Sequence, residues 1–396
     1  MTPDATQIRP GVPFIDLAAQ RRRLGGDMDA AILAVLDHGQ YIMGPEVGQL
    51  EQDLSAFTGA ANTLTCASGT DALVLAFRAL EIGPADAVVV PTFTFAATAE
   101  AVALVGATPV FCDVREDTYD IDLDSARSAL TAAAAAGLRP RAIVPVDLFG
   151  QPADYDAVEQ MAGDAGVKVV SDAAQSFGAS WHGRRVGTLA TLTTTSFFPA
   201  KPLGCYGDGG AVLTDDDALA ERIRSLRVHG KGSHKYENVR IGMNSRLDTI
   251  QAAILLQKLA ILEDELARRQ QVADRYAAGL EGLVKIPILR ECATSAWAQY
   301  TIVPPGDRDR LAAGLSECGV PTAVYYPKPL HLQGAFADAP RAIAGLAVSE
   351  RLASRVLSLP MHPYMARAGQ DFVIEAVQTL TRGLNSTEMA RRRTHP

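Results

Sequence analysis

Short runs of β-branched and apolar residues alternate with helical stretches over the first 240 positions. Several runs are apolar on both faces, which is typical of strands covered by helices on both sides. They predict strands over residues 62–67, 87–90, 109–114, 142–146, 167–171, 193–198 and 211–214. Helices are predicted over 69–80 and 98–105. This alternation predicts an α/β fold with a mostly parallel sheet, whose ligands bind beyond the carboxyl ends of its strands.

The pattern changes in the last third of the chain. Apolar positions at helical spacing between Leu247 and Leu266 predict one long helix, which begins at Ser245 with Asp248 completing a capping box. Further on, strands are predicted over 298–303 and 321–326, and helices over 307–318 and 372–384. We therefore predict a large domain over residues 1–245, a long connecting helix and smaller α/β domain over 246–385, and a frayed tail over 386–396.

Composition narrows the class of protein. The chain has 396 residues, of which 48% are hydrophobic and 21% charged, and this balance excludes a disordered chain. The net charge of −8 argues against a nucleic-acid partner but leaves a small phosphorylated ligand open. The N-terminus lacks the apolar segment of a secretory signal, and breakers interrupt the most apolar stretch, so no membrane partner is expected. Five cysteines without CxxC spacing predict no disulfide and no metal site, as in a cytoplasmic protein.

Two polar motifs lie where predicted strands end. Ser68-Gly69-Thr70 stands between a strand and a helix, where free backbone amides and the helix dipole bind phosphate, although it is also an ordinary N-cap turn. Asp172 ends an apolar strand, where a carboxylate is costly without a cationic partner such as a protonated pyridine nitrogen. Capping the next helix is the alternative role for Asp172. Gln175, three residues on, is close enough to share the site.

Two further motifs carry basic side chains. Lys201 lies between two prolines before a glycine-rich turn, and such a desolvated amine is suited to form a Schiff base. The alternative is an ordinary surface lysine. Asn244 and Arg246 precede the predicted long helix; capping accounts for Ser245 and Asp248 but leaves these two without a role.

A phosphate-binding helix start, a buried carboxylate and a lysine 29 positions after it are together typical of a pyridoxal-phosphate site. The sequence resembles the sugar aminotransferases of the DegT/DnrJ/EryC1/StrS family, which have the type I fold of aspartate aminotransferase. The resemblance extends from residues 14–17 and 41–47 to residues 359–363. Residues 197–210, FFPAKPLGCYGDGG, are most similar to the bacterial enzymes that aminate C3 of a UDP-3-keto-N-acetylhexosaminuronic acid for O-antigen synthesis.

The resemblance implies a role for each site residue. Lys201 would bind the cofactor covalently and carry the proton, and Asp172 would pair with the ring nitrogen. The other implied cofactor contacts are Gln175 to the ring hydroxyl, Gly69, Thr70 and Ser196 to the phosphate, Phe95 stacked on the ring, and Asn244 to the phosphate of the neighbouring subunit. The implied sugar-nucleotide contacts are Arg246, His229, Tyr325 and Tyr326. Core packing is the alternative for the aromatic residues, and a helix C-terminal cation for His229.

The implied activity is transfer of an amino group from an amino acid, with glutamate expected, to a keto nucleotide sugar by a homodimer with shared active sites. The resembling enzymes have histidine at the position of Tyr325, so other sugars stay open: amination at C4, or at C3 of a dTDP-keto-deoxysugar. Dehydratases of this family replace the lysine with histidine, so Lys201 counts against that branch. A non-catalytic regulator that binds pyridoxal phosphate is the alternative from another class.

Overall fold

The computed structural model of the protein describes residues 11–234 and 236–394. The strands in this part of the chain are β1 (Asn62–Cys66), β2 (Asp86–Pro91), β3 (Thr108–Cys112), β4 (Arg139–Ile143), β5 (Lys168–Asp172), β6 (Ser180–Trp181), β7 (Arg184–Arg185), β8 (Leu192–Ser196), β9 (Gly210–Thr214), β10 (Ala293–Thr294), β11 (Tyr300–Ile302) and β12 (Leu357–Leu359). The main sheet has the order β1-β9-β8-β5-β4-β2-β3. Two smaller sheets are formed by β10-β6-β7 and by β11-β12.

Neighbouring strands of the main sheet are parallel except at β9, which runs antiparallel to β1 and β8. The mostly parallel sheet predicted from the sequence is thereby confirmed. Every residue of β2 is buried, as expected for a strand covered on both faces. Because β5 and β8 are adjacent and parallel, their carboxyl ends meet at one edge of the sheet. Polar residues that follow these two strands are therefore brought together.

Helices surround the main sheet and build most of the C-terminal part. They are α1 (Leu17–His38), α2 (Pro45–Thr58), α3 (Gly69–Ala79), α4 (Ala97–Leu104), α5 (Leu123–Ala135), α6 (Tyr155–Ala165), α7 (Asp217–Leu226), α8 (Thr249–Leu259), α9 (Leu262–Leu280), α10 (Arg308–Glu317), α11 (Ala347–Arg355) and α12 (Arg367–Thr394). Among the described residues, none of these helices is both long and apolar enough to cross a lipid bilayer.

The single long helix predicted from Ser245 is wrong: the chain forms α8 and α9, separated by a turn at residues 260–261. The residue before α8 is Asp248, whereas the Ser245 hydroxyl accepts a hydrogen bond from the amide of Ala67 (3.3 Å). Leu255 and Leu262 lie in the same core on either side of the turn. The apolar spacing therefore continues across the break and conceals it.

The strand predicted over residues 321–326 is also wrong. Only Ala323 forms a β-bridge there, to Ser358 of β12, and the rest of the segment is irregular. The helix predicted over 307–318 is confirmed as α10, which the Asp307 side chain caps. The helix predicted over 372–384 lies within α12, which continues to Thr394, where the sequence predicts a frayed tail from residue 386. Residues 395 and 396 lie outside the described part.

Hydrophobic cores of the described residues lie in two parts of the molecule. Two of these cores pack against the main sheet, and another is built around β11, β12 and helices α9, α10 and α12. Helix α9 belongs to both halves, since Leu262 packs beside the main sheet while Val272 and Tyr276 lie in the second core. This arrangement is compatible with a large and a small domain, and the boundary at residue 246 stays a prediction.

Candidate active site

Asp172 lies at the carboxyl end of β5 with its side chain buried. Its Oδ2 accepts a hydrogen bond from the Thr98 hydroxyl (2.8 Å), and its Oδ1 accepts one from the amide of Ala174 (3.2 Å). Burial raises the pKa of this carboxyl, while the two hydrogen bonds and the positive charge of Lys201 act in the opposite direction. The arrangement holds a carboxylate with fixed orientation in a site that would otherwise favour its neutral form.

Lys201 follows β8 in a tightly folded turn. Its amide donates to the carbonyl of Phe198 (2.9 Å), and the amide of Cys205 donates to the carbonyl of Phe197 (2.8 Å). A Cβ at Gly204 would lie 2.6 Å from the carbonyl oxygens of Phe198 and Pro199, so only glycine fits this close approach. These hydrogen bonds and this close approach therefore fix the backbone conformation of the turn that carries Lys201.

The pKa of the Lys201 amine lies below its ordinary value because the group is desolvated by burial, and the charge of Asp172 opposes this effect. A lowered pKa increases the fraction of neutral amine, which is the nucleophilic form. The neutral amine can also accept a proton and return it. The structure thus brings together the two residues predicted to be catalytic, a carboxylate and a reactive amine.

A cradle for an anion lies at the start of α3. The Ser68 hydroxyl caps this helix by accepting from the amide of Asp71 (3.1 Å), and Gly69 is its first residue. A Cβ at Gly69 would lie 2.7 Å from Cβ of Ser196, the last residue of β8. Gly69, the half-buried Thr70 and Ser196 therefore converge where the positive end of the helix dipole points. Such a cradle suits a phosphate group.

Aromatic and amide side chains border the same edge of the sheet. Phe95, in the turn before α4, is 57% exposed, and its ring centroid lies 6.0 Å from that of Tyr326. Gln175 donates from Nε2 to the Tyr326 hydroxyl (3.3 Å) and accepts at Oε1 from the amide of Phe149 (2.8 Å). The ring of Tyr325 packs edge-on against that of Tyr326, with centroids 5.8 Å apart, and lies 6.4 Å from that of Phe14. An exposed phenylalanine beside an anchored glutamine is suited to hold a flat ring.

The other predicted residues occupy a separate segment. His229 and Asn244 are exposed on adjoining loops, where the amide of His229 donates to the carbonyl of Met243 (2.9 Å). Arg246 is half-buried, and its Nε has no hydrogen-bond partner in the described part of the chain. Within that part no ion pair joins Arg246 to Asp248. No described contact connects these three side chains to Lys201 or Asp172.

Thr98 is a site residue that the sequence does not predict. The hydroxyl of this α4 residue donates to Asp172, which lies 74 positions further along the chain. No pattern of neighbouring residues predicts a contact over such a separation. The only local signal is its place in the helix after Phe95, at the edge where ligands of parallel sheets bind.

These groups fit pyridoxal 5′-phosphate: a cradle for its phosphate, a carboxylate for its ring nitrogen, and an amine for its aldehyde. The cofactor supplies an electron sink that stabilises negative charge on a substrate carbon and stores the amino group between donor and acceptor. The fold and site together define a type I, pyridoxal-phosphate-dependent transferase.

Comparison with known proteins places the chain more narrowly. The sequence profile of the DegT/DnrJ/EryC1/StrS aminotransferase family matches residues 23–378, and the chain belongs to this family. A UDP-2-acetamido-2-deoxy-3-oxo-D-glucuronate aminotransferase of Pseudomonas aeruginosa is 48% identical over 367 residues, which cover 92% of this chain and 99% of the relative. A dTDP-3-amino-3,4,6-trideoxy-alpha-D-glucose transaminase of Streptomyces venezuelae is 42% identical over 93% of this chain and 96% of its own.

Solved structures agree with this placement. A DegT DnrJ EryC1 StrS aminotransferase from Brucella abortus superposes with a TM-score of 0.92 at 50% identity, over 93% of this chain and 99% of its own. A Bacillus subtilis protein crystallised with the bound cofactor PMP superposes with a TM-score of 0.86 at 30% identity, over 96% of this chain and 87% of its own. The predicted fold class, the cofactor and the aminotransferase activity are thereby confirmed, whereas the roles of single residues stay predictions.

Proposed function

We propose that this enzyme transfers the amino group of glutamate to C3 of a UDP-3-keto-N-acetylhexosaminuronic acid, in the cytoplasm and for O-antigen synthesis. The observation that carries the acidic sugar is Arg246, whose guanidinium is half-buried with an unpartnered Nε. A substrate carboxylate that loses water needs such a partner, and a guanidinium meets it with two parallel hydrogen bonds. The 48% identity to the Pseudomonas relative supports the same substrate class.

In this proposal Lys201 attaches the cofactor and moves the proton at the reacting carbon. Asp172 keeps the ring nitrogen protonated, and Gln175 holds the ring hydroxyl. Phe95 covers the ring. Gly69, Thr70 and Ser196 would hold the phosphate at the start of α3, where the close contact of Gly69 with Ser196 supports their joint role. The proximity of the Lys201 and Asp172 charges supports the first two assignments.

We further propose a homodimer in which each chain completes its partner's active site. Asn244 would reach the partner's cofactor phosphate, and Arg246 and His229 its sugar nucleotide, with Tyr325 and Tyr326 as further contacts. The lack of described contacts from residues 229–246 to Lys201 supports this. Tyr41, Ile42 and Met43 are between 41% and 48% exposed, and Ile42 forms a β-bridge to Asp248 beside this segment. An exposed apolar run there is suited to an interface.

All five cysteines are unpaired, which fits the proposed location in the reducing environment of the cytoplasm.

A dTDP-keto-deoxysugar is the second candidate substrate. Tyr325 replaces the histidine of the enzymes that the sequence resembles, and the 42% identical Streptomyces relative is named for a dTDP sugar. A neutral deoxysugar would leave the Arg246 guanidinium without a carboxylate. For this reason the uronic acid is the preferred substrate.

Single-turnover absorbance measurements test the proposal. Protein charged with pyridoxamine phosphate is mixed with a UDP-3-keto uronic acid, its neutral UDP-3-keto counterpart, or a dTDP-3-keto-deoxysugar. We expect the uronic acid to restore the pyridoxal-form band fastest, at a rate per concentration at least about 30-fold above that of the neutral UDP sugar. Equal rates for the two UDP sugars would contradict a carboxylate contact, and a faster dTDP sugar would select the second candidate.

A further inference from the structure

A second lysine, Lys258, supports the turn that carries Lys201. Lys258 lies near the end of α8, its side chain is 1% exposed, and its Nζ donates to the carbonyl of Gly204 (2.6 Å). The same Nζ lies 4.2 Å from the ring centroid of Tyr206. Two helix turns earlier, Gln251 accepts a hydrogen bond from the amide of Tyr206 (2.9 Å). Helix α8 thus contacts the turn at two residues, Gly204 and Tyr206.

The position of Lys258 is costly for packing alone. Burial lowers the pKa of its amine to about 8, against the opposing charges of Cys205 and Glu265. No carboxylate in the described residues forms an ion pair with it. An apolar side chain of similar length would fill this space without desolvating a charge. What only the amine supplies is a strong hydrogen bond to the Gly204 carbonyl, together with a cation–π contact to Tyr206 in the same turn.

That carbonyl belongs to the residue on which the turn closes. The Cα of Gly204 packs against the carbonyls of Phe198 and Pro199, and the Phe198 carbonyl accepts the amide of Lys201. A shift of Gly204 would therefore move the two peptides that set the backbone of Lys201. Displacement of a reacting group by about 1 Å lowers rates by as much as 10²-fold. The position of Gly204 should therefore affect the rate of the reaction at Lys201.

We infer that Lys258 is a positioning residue for Lys201, acting through its hydrogen bond to the Gly204 carbonyl. The inference rests on the proposed role of Lys201 as the residue that binds the cofactor covalently. It assigns to α8 the task of holding the Lys201 turn against the end of β8.

The test is Lys258→Met, which keeps the length of the apolar stem and removes the N–H donor. We expect the rate constant of the glutamate half-reaction to fall roughly 10-fold with little change in the KM for glutamate, and the cofactor to dissociate faster on dilution. The melting temperature of the cofactor-free protein should be unchanged or higher, because a buried charge has been replaced by an apolar group. Lys285→Met is the matched control, since Lys285 is exposed and its Nζ donates to the carbonyl of Glu116 (2.9 Å), outside the Lys201 turn.

Wild-type rates and cofactor retention in Lys258→Met would overturn the inference. A melting temperature that falls in parallel with the rate would also overturn it, since that pattern belongs to general structural support. Borohydride reduction of the wild-type holoenzyme, followed by peptide mass spectrometry, keeps the premise separate. Label on a lysine other than Lys201 would contradict the proposed function itself, whatever Lys258→Met does.

Discussion

The end of the main sheet and the segment from His229 to Arg246 differ in how their polar side chains are partnered. At the sheet, Asp172 is held by Thr98 and Ala174 and lies close enough to Lys201 for their charges to affect each other. In the other segment, His229 and Asn244 are exposed, and Arg246 keeps a buried Nε without a partner in the described part. One region is assembled within a single chain, whereas the other is suited to be completed by a partner or a ligand.

This difference separates cofactor chemistry from sugar recognition. Residues at the sheet should affect both half-reactions, since donor and acceptor pass through the same cofactor site. Residues of the exposed segment should affect the sugar half-reaction and leave the glutamate half-reaction nearly unchanged. Substitutions in the two regions can therefore show whether the division is real.

Lys201→Ala should have the largest effect. Because one amine has both the covalent and the proton-transfer role, turnover should fall by more than about 10⁴-fold in both half-reactions. Circular dichroism and gel filtration should show an unchanged fold. Lys168→Ala, an exposed lysine at the opposite end of β5, is the control. Retention of more than a few per cent of activity in Lys201→Ala would refute the assignment.

Asp172→Asn should cause the second-largest loss of activity. The neutral amide cannot hold a protonated ring nitrogen, so proton abstraction from glutamate should slow by roughly 10²-fold to 10⁴-fold, while cofactor affinity changes less. Stopped-flow single-turnover rates and fluorescence titration measure the two quantities. Asp164→Asn, at an exposed carboxylate of α6, should behave as wild type. An unchanged single-turnover rate in Asp172→Asn would exclude the role.

Arg246→Lys tests the exposed segment. Lysine keeps the charge but loses the paired geometry of a guanidinium. The rate of the half-reaction with a keto uronic acid should therefore fall roughly 30-fold, which corresponds to about 2 kcal/mol. The glutamate half-reaction should be unaffected. Arg224→Lys, which alters an exposed ion pair with Glu221 on α7, is the control. Equal losses in both half-reactions would show that the two regions are not separate.

The sequence indicates the sheet and its edge well because these depend on local patterns. Apolar runs predict β1, β2, β3, β5, β8 and β9 close to their observed positions, and a residue at the end of a strand, such as Asp172, is placed with that strand. The pattern fails where tertiary packing decides: α8 and α9 share one apolar spacing across a turn. Residues 321–326 look like a strand, but only Ala323 of that segment has a strand neighbour.

Supporting side chains lie beyond the reach of sequence reasoning for a related reason. Thr98 reaches Asp172 across 74 positions and Lys258 reaches Gly204 across 54. Neither contact has a local spacing, since each depends on how a helix packs against the sheet. The residues that carry the chemistry follow strand ends, whereas those that hold them come from elsewhere in the fold.

Thr98→Val should have the smallest effect of these substitutions, because it removes one hydrogen bond while keeping the shape of the side chain. That bond lowers the pKa of the Asp172 carboxyl, so without it Asp172 takes up a proton at higher pH. The acid limb of the rate profile should therefore move to higher pH in both half-reactions. At neutral pH the loss should be about fivefold to tenfold, which corresponds to the roughly 1 kcal/mol that a single hydrogen bond typically contributes.

Thr98→Ser keeps the hydroxyl and should restore the wild-type profile, which a purely packing role would not do. Thr195→Val is the matched control, since the Thr195 hydroxyl is equally buried but donates to the carbonyl of Ala173 (3.2 Å) and not to Asp172. If the acid limb stays in place in Thr98→Val, the hydroxyl does not set the ionisation of Asp172. If it moves in the sugar half-reaction alone, Thr98 acts on the substrate, and the assembled region extends further into sugar recognition than the contacts within one chain indicate.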